Sequence, residues 1–271
     1  MMNDFLGKTA LITGASSGLG EGYALELAKR GANVILVARR TDRLRELSDR
    51  INAEYGVKAS SVLPIDLSAR DAATSLARMI KGRGMQIDIL INNAGFGQTI
   101  AFAEEDAQWV RNELAVNVQT LVELTHEFLP GMLERKSGIV INIASTAAFQ
   151  SLPYMAVYGA TKAFVLSFTE ALWGETRESG VKVLTVCPGP TETEFFEAGG
   201  SSPALGRFIR KREHVMETTF KELAKPKPRA AVIDGGLNKL TAISSRFFTR
   251  TFAIKLSGKI MKPKKSTSTP K

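Results

Sequence analysis

Tyr158 and Lys162 stand four residues apart in the stretch YGATK, among Ala156, Val157, Ala160, Ala163, Phe164, Val165, Leu166 and Phe168. Helix formers and apolar residues at this density predict a buried helix. A spacing of four then puts the phenol and the ammonium on one face, one turn apart. A phenol with a reference pKa of about 10 is a poor acid or base near neutrality, but a neighbouring cation favours its ionised form and brings that value down. Such a pair can exchange protons. The same spacing also fits two amphipathic side chains that cover a helix with their stems and reach solvent with their tips, so the rest of the chain has to decide.

Those residues must be positioned by regular elements, and the sequence alternates two kinds. Short β-branched runs (KTALIT, NVILVA, SVLPID, IDILIN, GIVINIAS and KVLTVC) are separated by helical patterns, including one long helix around Trp109 to Leu133 and the YGATK helix. Runs that are apolar on both faces and separated by helices indicate parallel strands joined by right-handed crossovers. The expected fold class is α/β, a single-domain Rossmann-type doubly wound parallel sheet with helices on both faces, with RAAVID as a candidate seventh strand. In such sheets ligands bind beyond the carboxyl ends of the strands, where the strand order reverses.

The first run ends in TGASSGLG, residues 13–20, and leads straight into a helix. Gly14, Gly18 and Gly20 allow a tight turn and close approach of a pyrophosphate, with Ser16, Ser17 and Leu19 between them, and the helix N-terminus favours negative charge. The spacing Gly-x-x-x-Gly-x-Gly differs from the G-x-G-x-x-G fingerprint, and the lysine of a P-loop is missing. The second run ends Ala38-Arg39-Arg40. An acid there would meet a free ribose 2′-hydroxyl, whereas guanidinium groups suit a 2′-phosphate, so NADP(H) is expected rather than NAD.

Composition narrows the function classes. The 271 residues are 44% hydrophobic and 23% charged, ordinary for a globular chain. No apolar run approaches the ~18 residues that span a bilayer, and the N-terminus lacks a secretory pattern, so a cytoplasmic location is expected. One cysteine, Cys187, makes no intrachain disulfide and reads as a buried strand residue, and two histidines offer little for a metal site. The net charge of +9 does not mark a nucleic-acid binder. Nine basic residues and no acidic ones follow residue 238, and the body before them is balanced against the 27 acidic residues. The expected organisation is a catalytic domain over 1–238 and a basic, apolar extension over 239–271. The terminal KPKKSTSTPK has the composition of a disordered tail.

Taken in order, the motifs resemble the short-chain dehydrogenase/reductase family over roughly residues 5–195: TGASSGLG, Asp66, NNAG at 92–95, Asn117, Ser145, Tyr158 with Lys162, and PGPTET at 188–193. The resemblance implies an enzyme that interconverts a ketone or aldehyde and an alcohol by hydride exchange with the nicotinamide. Asp66, with Leu67 beside it, would contact the adenine. Asn93, Ala94 and Gly95 would shape the cofactor floor, and Pro188, Gly189, Thr191 and Thr193 would cover the nicotinamide. Tyr158 would be the general acid or base, and Lys162 would lower its pKa and hold the nicotinamide ribose. Ser145 would donate to the substrate oxygen, and Asn117 would hold a water linking Lys162 to solvent. The rival reading is a regulatory or sensor protein that binds NADP without turnover.

Phe96, Thr146 to Phe149, Met155, Phe195, Phe196, Phe208 and Phe220 suggest an apolar wall, hence a hydrophobic acyl or steroid-like substrate rather than a sugar. In the family, residues about 191–225 would close over it. The resemblance also implies a homodimer or homotetramer, paired through the Asn117 and Tyr158 helices. The extension after Asp234-Gly235-Gly236 departs from the family. Leu240, Ile243, Phe247 and Ile254 fall near one helical face while Phe248, Phe252 and Leu256 drift to another. Either the extension is a peripheral anchor for an anionic membrane, or it packs on its own domain or a partner subunit.

Overall fold

The computed structural model describes residues 5–57, 59–194, 209–244 and 248–263, with backbone alone at 59 and 60. Seven parallel strands form one sheet in the order β3-β2-β1-β4-β5-β6-β7: β1 (Thr9–Thr13), β2 (Asn33–Ala38), β3 (Ala59–Pro64), β4 (Ile89–Asn92), β5 (Gly138–Ile143), β6 (Val181–Cys187) and β7 (Ala231–Ile233). The RAAVID run does supply the seventh strand. The helices between strands are α1 (Gly18–Lys29), α2 (Thr41–Tyr55), α3 (Ala72–Gly82), α4 (Ala107–Leu114), α5 (Thr120–Glu134), α6 (Ala156–Thr176) and α7 (Arg212–Leu223). After β7 come α8 (Gly236–Ser244) and α9 (Arg250–Met261).

Alternation along the strands explains their continuous apolar runs. Ala10, Ile12, Val34, Leu36, Ile89, Ile91 and Ile141 face one core layer, and Leu11, Ile35, Val37, Leu90 and Val140 face the other. Helices cover both faces, so neither set can be polar. The sheet's order reverses beside β1, whose neighbours are β2 and β4, and loops diverge there at the carboxyl ends.

Two polar features lock this end. Asn92 and Asn142 are register partners on β4 and β5, and Asn92 Nδ2 donates to Asn142 Oδ1 at 2.9 Å and to Thr125 Oγ1 at 3.0 Å. Asn142 Nδ2 donates to Thr169 Oγ1 at 2.9 Å, tying α5 and α6 to the sheet. The long helix expected around Trp109 to Leu133 is α4 and α5 joined by a π-helical segment, Ala115–Gln119, and Asn117 sits inside it. A π-turn inserts one extra residue and re-aims the side chains around it, which is why such segments concentrate at functional sites.

Candidate active site

The cleft at the strand ends holds about 600 Å³. The end expected to hold the cofactor is built by backbone and short side chains. Thr13, buried at the end of β1, accepts the N–H groups of Asn93 and Ala94 at 3.0 Å each. Asn93 Nδ2 returns to the Thr13 carbonyl at 2.9 Å, so the TGASSGLG turn and the NNAG turn are stitched together. Gly14 has φ +67°, and a Cβ on Gly20 would strike the Gly14 carbonyl and approach Asn93 Nδ2 to 2.6 Å. Only glycine allows the two turns to close this tightly. Gly20 is buried beneath the turn, while Gly14, Ser16, Ser17, Gly18 and Leu19 line the cleft.

At the end of β2, Arg40 donates to Ser16 Oγ at 3.2 Å and to Ser17 Oγ at 2.7 Å, and pairs with Glu194 at 2.6 Å. Arg39 is exposed on the same rim. Asp66 accepts the Ser68 N–H at 3.0 Å and the Ser68 hydroxyl at 2.8 Å. The Ser68 N–H, aided by the Ser68 hydroxyl and the charge of Arg39, keeps the Asp66 carboxyl below its ordinary range. Leu67, Asn93, Ala94, Gly95, Pro188, Gly189, Thr191 and Thr193 all reach the cleft. The glycine cradle, helix N-terminus and flanking guanidinium groups fit a dinucleotide, since they offer backbone N–H groups and positive charge where pyrophosphate and ribose would lie.

The opposite end brings Ser145, Tyr158 and Lys162 to the cleft, with Asn117 behind them. Ser145 follows β5 and its Oγ accepts the Ala147 N–H at 3.1 Å, capping a 3₁₀ turn at Thr146–Phe149. Tyr158 on α6 is hydrogen-bonded to Ser145. Lys162, one turn further and buried, donates to the Ile143 carbonyl at 2.9 Å and lies 5.7 Å from the Tyr158 ring centroid. Gly97 fixes that ring: a Cβ there would stand 2.5 Å from Tyr158 Cδ2. Asn117 lies behind the wall as a pin. It exchanges hydrogen bonds with the Phe96 backbone at 3.0 and 2.8 Å and donates to Thr161 Oγ1 at 3.1 Å.

The electrostatics correct one expectation. Lys162 does not hold the phenol down in this arrangement: burial pushes Tyr158 up to about 12, opposed by the Ser145 hydrogen bond and reinforced by the charge of Glu113. Burial also brings Lys162 down to about 8, against the raising influence of Glu113. Desolvation disfavours each charged form and is the leading cause of both shifts.

The expected apolar wall is redistributed. Phe96 and Met155 line the cleft, and Trp109 meets Phe96 edge-on, centroids 5.1 Å apart at 84°. Phe220 does not belong to the wall. It is 6% exposed in the core under α1, 6.3 Å from the Tyr23 ring and 6.0 Å from Phe5. Its helix buries Val215, Met216 and Leu223 on the same side, a 3–4 spacing that marks a core face. Phe195, Phe196, Phe208 and Phe247, and the terminal lysine-rich run from 264, lie outside the described residues.

The extension folds as two helices rather than one amphipathic face, and its second helix reaches the cleft. Ser257, Ile260 and Met261 of α9 line it. Ser257 Oγ donates to the Ser151 carbonyl at 2.9 Å, and a Cβ on Gly258 would stand 3.2 Å from Pro153 Cγ. Nothing in the motif pattern pointed to these residues or to Trp109. Among the described residues, no helix is long and apolar enough to cross a membrane.

A family model described as short chain dehydrogenase matches residues 8–202. A short chain dehydrogenase of Pseudocercospora fijiensis is 38% identical over 193 residues, covering 70% of this chain and 61% of that protein. The very-long-chain 3-oxoacyl-CoA reductase of Rattus norvegicus is 34% identical over 187 residues, covering 68% of this chain and 59% of the reductase. The chain thus matches about six tenths of the length of these relatives. Among solved structures, one described for the stereoselectivity of 7beta-hydroxysteroid dehydrogenase superposes with a TM-score of 0.84 at 26% identity, covering 94% of this chain and 98% of that one. A short-chain dehydrogenase from Sphingobium yanoikuyae in complex with NADPH gives 0.78 at 28% identity, covering 97% and 98%. The ordered motifs, the seven-stranded sheet and these likenesses agree: the chain belongs to the short-chain dehydrogenase family of oxidoreductases.

Proposed function

We propose that the chain is an NADP(H)-dependent carbonyl reductase or alcohol dehydrogenase acting on a hydrophobic substrate. The observation that carries this reading is the convergence of Ser145, Tyr158 and Lys162 at one end of a cleft whose other end is rimmed by Arg39 and Arg40. The nicotinamide, when bound, supplies or accepts the hydride. Ser145 donates a hydrogen bond to the carbonyl oxygen as negative charge builds there. Tyr158 delivers the proton that turns this oxygen into a hydroxyl, and removes it in the reverse direction. Lys162, held by the Ile143 carbonyl, keeps positive charge next to the phenol. Asn117 Oδ1 and Lys162 Nζ each lie 3.1 Å from the point where a Gly95 Cβ would stand, so both polar groups converge on the same glycine.

Arg39 and Arg40, with Ser16 and Ser17, are assigned to the 2′-phosphate, so NADPH is the expected partner. A hydrophobic ketone is favoured by Phe96, Trp109, Leu152 and Met155 on the wall, and the relatives and neighbours described as reducing acyl-CoA or acting on steroids point the same way. Exposed Leu114, Leu133 and Phe164 on α4, α5 and α6 support pairing of these helices in a homodimer or homotetramer. On α9 the inner face closes the cleft. The outer face, Phe252 and Leu256 with Arg250, Lys255 and Lys259, is assigned to an anionic membrane surface. Oxidation of NADPH against a panel of ketones and aldehydes tests the whole reading: turnover on bulky apolar ketones is expected, and binding of NADPH with turnover on none would make the protein a sensor.

A further inference from the structure

Glu113 is fully buried on the last turn of α4, and no ion pair or well-formed hydrogen bond holds its carboxylate oxygens, the Trp109 indole N–H being a nearby donor that falls short of one. The other buried acids among the described residues are held: Asp88 by the Thr9 N–H, Glu222 by Arg229, Asp234 by Arg210. A buried carboxylate without well-formed hydrogen bonds is unfavourable when charged, so the group is poised to carry a proton. Its position is specific. It lies one helical turn before Asn117, whose Oδ1 converges with Lys162 Nζ on Gly95. The groups that face it are Glu105 from the loop ahead of α4, Trp109 from its own helix, and Tyr158 and Lys162 from α6. Burial and then the charge of Glu105 push the carboxyl up to about 7, with Trp109 and Lys162 acting in the opposite sense.

We propose that Glu113 is a positioning residue that stores the proton used to recharge Lys162, the inner end of a path from solvent to Tyr158. The assignment rests on the reductase reading above. During reduction the Tyr158 O–H bond breaks and its proton goes to the substrate oxygen, leaving a phenolate. A Lys162 N–H proton restores the phenol and leaves an amine. The Glu113 O–H proton, carried by a water bridging to Lys162 Nζ, restores the ammonium and leaves a carboxylate. That carboxylate takes one proton from solvent on the side of Glu105, so one solvent proton is consumed per hydride and all three groups return to their starting forms.

Glu113 also acts by its charge. As a carboxylate it raises both Tyr158 and Lys162, so its neutral amide lowers both. In Glu113→Gln the alkaline limb of the reduction rate should move down by about one pH unit, the solvent isotope effect on kcat should rise, and KM for NADPH should stay unchanged. Glu113→Asp should restore part of the displacement. A uniformly reduced kcat with an unmoved limb, or an unchanged profile, would overturn the assignment. Should the amide variant not fold, infrared difference spectra of the intact wild-type protein from about pH 6 to about 8.5, assigned with Glu113→Asp, should lose a protonated-carboxyl band. A carboxylate already ionised throughout contradicts the proposal. The infrared result needs no turnover, so it stands apart from failure of the reductase reading, which a lack of NADPH oxidation on every carbonyl would show.

Discussion

The two ends of the cleft are built on different principles. The end assigned to the cofactor is a contact between turns, fixed by backbone carbonyls, Thr13, Asn93 and glycines whose missing Cβ atoms set the spacing. The end assigned to the substrate is a contact between side chains drawn from distant segments: Phe96 against Trp109, Met155, and Ser257 and Met261 from a helix nearly a hundred residues beyond Tyr158. A backbone-built end tolerates little variation and binds one class of ligand. A side-chain-built end can change its specificity by substitution without disturbing the sheet, so the reaction and the choice of substrate are separable properties of this fold.

That separation can be broken from the catalytic side first. Gly97→Ala pushes a methyl into the Tyr158 ring and should lower kcat by about 10²-fold, the scale of a 1 Å misplacement, while NADPH binding by fluorescence titration stays near normal. A parallel loss of NADPH affinity would show that the ends are coupled. Arg39→Ala and Arg40→Ala should weaken NADPH by about tenfold or more and leave NADH nearly untouched, since only the former carries the extra phosphate to which a guanidinium hydrogen bond contributes about 1.5–3 kcal/mol. Equal losses for both cofactors would assign Arg40 to its Glu194 pairing instead.

How much could be read from sequence follows the same division. TGASSGLG and NNAG are legible as turns at the strand ends because local chain geometry sets them. The Asn117 π-segment is not, because one inserted residue leaves the apolar pattern of α4 and α5 intact. Phe220 was misread because an aromatic residue on an amphipathic helix carries no mark distinguishing core from cleft. The role of α9 was hidden for a related reason: its apolar residues are spread around the helix, and the inward face is picked out by Ser257 and Gly258, a hydroxyl and a missing side chain that dock against Ser151 and Pro153. The spacing of Tyr158 and Lys162 suggested that the charge of one would govern the other, whereas burial, which spacing does not show, is the leading cause of both shifts.

Smaller effects refine the comparison. A chain ending at Ser244 should raise KM for a bulky ketone about tenfold, the scale of one lost apolar contact in a pocket, with NADPH affinity unchanged. It should also stop co-sedimenting with anionic vesicles if the outer face of α9 is the membrane contact. Persistence of vesicle binding would remove that role. The pH profile gives the mildest readout. Lys162, lowered to about 8 by burial, loses its charge as pH rises through that value, so the reduction rate should decline above it. Light scattering at micromolar concentration should show a dimer or tetramer.

The central claim, that Tyr158 supplies the proton while the cofactor end holds NADPH independently, is tested most directly by deuteride transfer from NADPH deuterated at the nicotinamide C4 to a bulky ketone, in wild type and Tyr158→Phe. The wild type should give alcohol deuterated at the carbinol carbon. The variant should bind NADPH with similar affinity and lose about 10²–10⁴ in rate. Near-normal deuteride transfer by Tyr158→Phe would contradict the account.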